Sequence, residues 1–162
     1  METIAILITG GTLDKVHNTL TETLTFPKDK SSQITRLLEL GRCAYPVIIP
    51  VLQEDSLNLC DEGRAAILAA VKACAQSRLI ITHGTGTMGK TAQYLEGKTG
   101  DKTVVLTGSM RPFSLGKSDA GFNVGGALIA AQTLPAGVYA VMNGRVFKAS
   151  EIKKDVQSGR FD

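Results

Sequence analysis

Four segments of the chain set hydroxyl side chains beside glycines or acids: Thr9-Gly10-Gly11-Thr12, Glu54-Asp55-Ser56, His83-Gly84-Thr85-Gly86-Thr87 and Thr107-Gly108-Ser109. A Thr or Ser hydroxyl becomes a nucleophile when a base takes its proton and hydrogen-bond donors hold the developing oxyanion. Glycines alongside let a backbone come close to a ligand. Taken singly, each segment also reads as a tight turn or a helix cap. Taken together, they are four similar loops, each following a strand-like run. The third continues as Gly84-Thr85-Gly86-Thr87-Met88-Gly89-Lys90-Thr91 and matches the phosphate-binding pattern G-x-x-x-x-G-K-[ST] in full. Its backbone N–H groups would cradle phosphate and Lys90 would supply charge. Two features count against that use. Later strands run into Thr107-Gly108 and Asn143-Gly144 with no acid for Mg²⁺, and the pattern follows the third strand instead of opening the domain.

The elements that position these loops alternate along the chain. Strands are expected over Thr3–Thr9, Tyr45–Leu52, Arg78–Thr82, Thr103–Thr107 and Val138–Met142. Between them lie helical patterns. Ser31-Ser32 can cap a helix with Ile34, Leu37 and Leu38 on one face, ending at Gly41. Asp61 and Glu62 favour the start of a second, with Ile67, Val71 and Cys74 at helical spacing. Thr87–Leu95 makes a short third. Ser118 or Asp119 caps a fourth carrying Val124, Leu128 and Ala131, which stops before Pro135. Residues 13–30 show no clear periodicity, and a polar tail follows the fifth strand. Continuous apolar strands separated by helices predict a mainly parallel sheet covered on both faces, a three-layer doubly wound α/β fold of Rossmann-like or flavodoxin-like type. In such folds ligands bind beyond the carboxyl ends of the strands, where all four loops fall.

At 162 residues, 43% hydrophobic and 20% charged, the chain is expected to be one soluble domain spanning residues 1–162. Its apolar runs fall far short of a membrane span of about 20 residues, and its start carries no signal-peptide pattern. The net charge of +3 comes from scattered basic residues, and aromatics are 5% with no Trp, so no nucleic-acid surface is expected. Cys43, Cys60 and Cys74 are widely spaced and odd in number, which argues against a disulfide framework or zinc site and for a reducing cytoplasm. His17 and His83 are too few and too far apart for a metal site.

The loops also resemble something more specific. Thr9-Gly10-Gly11-Thr12, the His83–Thr91 segment and Thr107-Gly108-Ser109-Met110-Arg111-Pro112 look like the signature segments of bacterial-type L-asparaginases. Ser118-Asp119-Ala120-Gly121-Phe122-Asn123, Gly137-Val138-Tyr139 and Met142-Asn143-Gly144-Arg145-Val146-Phe147 continue the likeness in one register. The resemblance implies hydrolysis of a side-chain amide, asparagine and in some cases glutamine, to a carboxylate and ammonia without a metal or cofactor. It makes Thr12 the nucleophile and Thr85 a second catalytic threonine with Lys102 as partner. It assigns Asp55-Ser56 to the substrate α-carboxylate, with Gly11, Gly84 and Gly86 lining the substrate's place. Family members usually have a second, smaller domain that helps complete a neighbour's site. None is expected here, so a homo-oligomer, a dimer or tetramer, is expected to close the pocket.

Two departures stand out. The mobile segment after the nucleophile has no Tyr, leaving His17 as the candidate lid residue or base. Gly86 stands where the family pattern has an Asp that binds the substrate ammonium, and Gly89-Lys90 replaces acidic or polar residues. Activity on an amino acid is therefore expected to be weakened or altered. Nucleotide binding at Gly84–Thr91 and a catalytically silent ligand-binding module remain the alternatives.

Overall fold

The computed structural model describes residues 3–161; Met1 and Glu2, part of the start read above as lacking a signal peptide, lie outside that range. The strands are β1 (Ile4–Gly10), β2 (Val16–Asn18), β3 (Thr23–Thr25), β4 (Val47–Glu54), β5 (Arg78–Thr82), β6 (Thr103–Thr107), β7 (Gly137–Met142), β8 (Arg145–Lys148), β9 (Lys154–Asp155) and β10 (Arg160–Phe161). The helices are α1 (Ile34–Leu40), α2 (Asp61–Ala73), α3 (Met88–Leu95) and α4 (Ala120–Thr133). Six strands form one sheet in the order β4-β1-β5-β6-β7-β8, parallel except for β8.

Both faces of the sheet are covered, which is why β1 reads as an unbroken apolar run. Its Ala5 and Leu7 belong to one core with Ile67 and Val71 of α2 and Ala92 and Leu95 of α3. Ile4, Ile6 and Ile8 belong to the other, with Ile34 and Leu38 of α1 and Val124 and Ala127 of α4. β4 begins two residues later than its apolar run and carries Pro50 inside it. A proline cannot donate to a ladder, and β4 sits at the sheet edge where one side needs no partner.

Residues 13–30 hold more order than their pattern suggests. A short 3₁₀ turn, Thr12–Asp14, leads into the antiparallel pair β2–β3. Asp14 is buried, and its carboxylate accepts hydrogen bonds from Ser32 Oγ (2.7 Å) and Gln33 N (2.8 Å), so it anchors the entrance of α1 together with Ser32. Burial raises the Asp14 pKa, against the lowering effect of these bonds.

The expected polar tail is a correction. The chain after β7 turns at Asn143-Gly144 into β8, then runs through a short 3₁₀ turn to the β9–β10 hairpin. Phe147, Ile152 and Phe161 are buried in the same core as α2 and α3. The Phe147 and Phe161 rings lie 6.4 Å apart, and Phe161 N donates to Asn143 Oδ1 at 3.0 Å. Three apolar anchors spread over fifteen residues are too sparse for a periodic pattern, yet they suffice to fold the segment onto the sheet.

Candidate functional site

The strand order reverses between β1 and β5: the chain leaves β1 for β4 on one side, then crosses back to β5 on the other. In doubly wound sheets this reversal opens a crevice beyond the carboxyl ends of the strands. The loops that flank it here carry Thr12 and Thr85.

Glycines hold these loops together by letting backbone meet backbone. Gly10 and Gly11 both have left-handed φ values, 95° and 83°. A Cβ on Gly10 would stand 2.6 Å from Glu54 N, and one on Gly11 would collide with Gly84 N. Gly11 N donates to Glu54 O at 3.0 Å. Gly108 packs in the same way on the carbonyl of His83. The four loops singled out by their sequence therefore converge, and Thr12 and Thr85 each follow directly on the Gly11–Gly84 contact.

Thr85 is buried, and its Oγ1 accepts a hydrogen bond from Lys154 Nζ at 3.0 Å. Lys154 lies on β9 directly opposite the buried Phe161 of β10, so the hairpin's inward face delivers the ammonium. The turn is closed by Gly159 N donating to Asp155 O (2.9 Å) and by Gln157 N donating to the Asp155 carboxylate (2.8 Å). Lys154 is not among the residues that motif and spacing single out. The signals that point to it are the adjacent pair Lys153-Lys154, framed by Ile152 and Phe161, and the turn residues Ser158-Gly159.

Lys102 is not at this site, which corrects the pairing expected from the resemblance. Its Nζ donates to Cys74 O (2.7 Å) and Gln76 O (2.8 Å), tying the end of α2 to the start of β6. The reason is directional: Lys102 precedes β6 and Thr85 follows β5, so the two lie at opposite edges of a parallel sheet. Five-residue strands put those edges about 16 Å apart.

The other expected residues fall as follows. Gly84 and Gly86 pack against the Asp55–Ser56 loop; a Cβ on Gly84 would press on Ser56 Cβ at 2.6 Å. Thr87 Oγ1 donates to Ser56 O at 2.7 Å. Asp55 is paired with Lys15, which comes from the Thr12 loop, and accepts a bond from Leu57 N. The Lys15 hydrogen bond, reinforced by that from Leu57 N, holds the Asp55 pKa below the usual carboxylate value. An ionised, lysine-paired carboxylate does not suit an incoming α-carboxylate. His17 is exposed on β2 opposite Leu24, and among the described residues no hydrogen bond joins it to Thr12.

The phosphate-loop pattern does not form an open cradle. Thr91, whose hydroxyl would face Mg²⁺, is buried with Oγ1 2.9 Å from His83 Nε2. The space over Gly84 is filled by Ser56, and that over Gly89 by the Ile152 carbonyl. Among the described residues, no group of three or more His, Cys, Asp or Glu side chains could hold a metal.

His83 is 1% exposed and orders the loop from beneath. Its Nδ1 lies 2.7 Å from Gly84 O, so the neutral ring with its proton on Nδ1 donates there and accepts from Thr91 at Nε2. Burial pushes its pKa down to about 4. Between the ordinary value of 6.5 and about 4, the unfolded chain binds a proton that the folded chain refuses. Stability is therefore complete above the upper value and falls as acid is added, by about 3 kcal/mol over the window. Urea midpoints compared at about pH 7 and about pH 4.5 should show the loss, and His83→Gln should flatten the profile. An equal acid loss in that variant would assign it elsewhere.

Comparison with known proteins fits this geometry. The family model described as "Asparaginase, N-terminal" matches residues 3–162. The chain belongs to the asparaginase family. It is 29% identical over 164 residues to a glutaminase-asparaginase of Acinetobacter glutaminasificans, covering 94% of this chain and 50% of that protein. A glutamyl-tRNA(Gln) amidotransferase component from Methanococcus vannielii is 28% identical over 155 residues, covering 90% of this chain and 35% of that one. The thermostable L-asparaginase from Thermococcus kodakarensis superimposes with a TM-score of 0.81 at 26% identity, over 98% of this chain and 50% of that chain. This asparaginase-family chain thus spans about half the length, or less, of the curated relatives it matches.

Proposed function

We propose that the chain is an amidohydrolase that cleaves the side-chain amide of a small substrate to a carboxylate and ammonia. The observation that carries this reading is the Lys154–Thr85 hydrogen bond at the sheet edge where the Thr12 loop lies against Gly84. A threonine hydroxyl is a weak nucleophile without a base, and an amide nitrogen leaves poorly without a proton. In this reading Thr12 Oγ1 attacks the amide carbon and hands its proton to Thr85 Oγ1, which passes its own proton to the amide nitrogen while the Lys154 ammonium holds that hydroxyl in place. The C–N bond then breaks, and the nitrogen leaves as ammonia with that proton. Water next attacks the threonyl ester, releasing the carboxylate and restoring the hydroxyl. Backbone N–H groups of the glycine loops are the available donors for the oxyanion.

Ammonia release from asparagine and from glutamine, followed by a coupled assay, tests the reading. Thr12→Ala should remove it while leaving the melting temperature nearly unchanged, because Thr12 is a partly exposed turn residue. Hydrolysis that survives Thr12→Ala would exclude the nucleophile assigned here.

The expected homo-oligomer finds a surface on α4, a helix without a charged residue. Phe122 is 69% and Ile129 62% exposed, and open space lies over Gly125 between them and over Gly121 beside Phe122. We place a second copy of the chain on this face, which light scattering at micromolar concentration checks: a monomer ends the idea. The site needs no cofactor in this mechanism. The free cysteines Cys43, Cys60 and Cys74 suit a reducing cytoplasm, and among the described residues no helix is long and apolar enough to cross a membrane.

A further inference from the structure

The depression beside Thr85 has a volume of about 420 Å³ and is lined by, among others, Leu57, Gly86, Lys90, Gln93 and Lys154. Two lysines face it, and among the described residues that line it there is no carboxylate. On the neighbouring loop, Asp55 is already matched by Lys15. The charge on the lining of the depression is therefore that of Lys90 and Lys154 alone. Lys154 Nζ is committed to Thr85, whereas Lys90 is exposed at the start of α3, with its ammonium available to a ligand. A free amino acid brings an α-ammonium, and in this depression that group would meet lysines with no carboxylate on the lining to receive it. Juxtaposing like charges costs affinity, and a cleft of one sign concentrates ligands of the other.

Resting on the amidohydrolase reading, we propose that the substrate is an anionic ω-amide, a dicarboxylic acid monoamide without an α-ammonium, whose free carboxylate pairs with Lys90. The reaction balances as amide plus water to dicarboxylate plus ammonium. The C–N bond breaks, water supplies the new C–O bond, and the leaving nitrogen takes up the protons.

The probes are succinamate against asparagine for turnover, and succinate against aspartate for binding by calorimetry, all on the wild-type chain. The expected result is that succinate binds at least about tenfold more tightly than aspartate and that succinamate leads asparagine in kcat/KM by a similar factor. Lys90→Gln should bring both ratios close to one, acting mainly through KM. Aspartate binding as tightly as succinate, or ratios unmoved by Lys90→Gln, would overturn the proposal. The binding arm does not need turnover. If succinate is preferred but neither amide releases ammonia, the amidohydrolase reading has failed and the charge selectivity stands. If both amides are cleaved without preference, the reverse holds.

Discussion

Replacing Lys154 by Met should lower amide hydrolysis by about 10²–10⁴, the usual contribution of a positioned acid–base group. Met keeps most of the aliphatic stem that packs opposite Phe161 and removes only the ammonium that reaches Thr85 Oγ1. The hairpin should therefore fold, and the loss should appear in kcat with little change in the urea midpoint. Lys102→Met is the matched control. It leaves the carbonyls of Cys74 and Gln76 without their charged donor, so it should cost about 2 kcal/mol of stability and leave kcat in place. Equal kinetic losses in the two variants would break the assignment of Lys154.

Gly86→Asp should act in the other direction, raising asparagine hydrolysis by about 100-fold. It supplies the carboxylate that the lysine-lined depression lacks and that an α-ammonium requires. The fold can take it: Gly86 has no left-handed φ, and its new Cβ would meet Leu57 Cδ2 at 2.7 Å. Leu57 is 74% exposed, so the end of its side chain can swing into solvent. Thr12→Ala in the same background should abolish the gain, because a carboxylate at position 86 does not replace the attacking hydroxyl. A phosphate-binding loop would respond with weaker nucleotide affinity and no hydrolysis, so a single substitution separates the two readings. Ammonia release unchanged by Gly86→Asp would remove the case for a missing ammonium partner.

Most of the sheet is legible in the sequence because its strands are buried on both faces. Ile4 to Ile8 read as one run for the physical reason that alternate side chains enter two different cores. The convergence of the loops is legible too, since strands of a parallel sheet share one carboxyl edge. The same logic, applied to Lys102, is enough to remove it from the site: a residue preceding a strand lies at the other edge. The obscurity of Lys154 has a different origin. β9 and β10 are two residues each and mostly polar, and their stability comes from Ile152 and Phe161 docking onto a distant core. No local periodicity records that. The Lys15–Asp55 pair is equally silent, because it depends on a turn after β1 meeting the loop after β4 across 40 residues of chain.

The separation of 69 residues between Thr85 and Lys154 also gives the molecule a chronology. Synthesis runs from the N-terminus, and segments gain structure in that order. The parallel strands and the glycine contacts that place Thr12 beside the His83–Thr87 loop are all encoded by residue 142. The nascent protein can thus acquire its five parallel strands and present both threonines while the proposed proton relay is still unmade. Only when residues 152–161 arrive, and Phe161 seats next to Phe147, does the lysine reach its partner. Completion of the proposed relay is thus separate in time from the folding of the parallel layer that supports it.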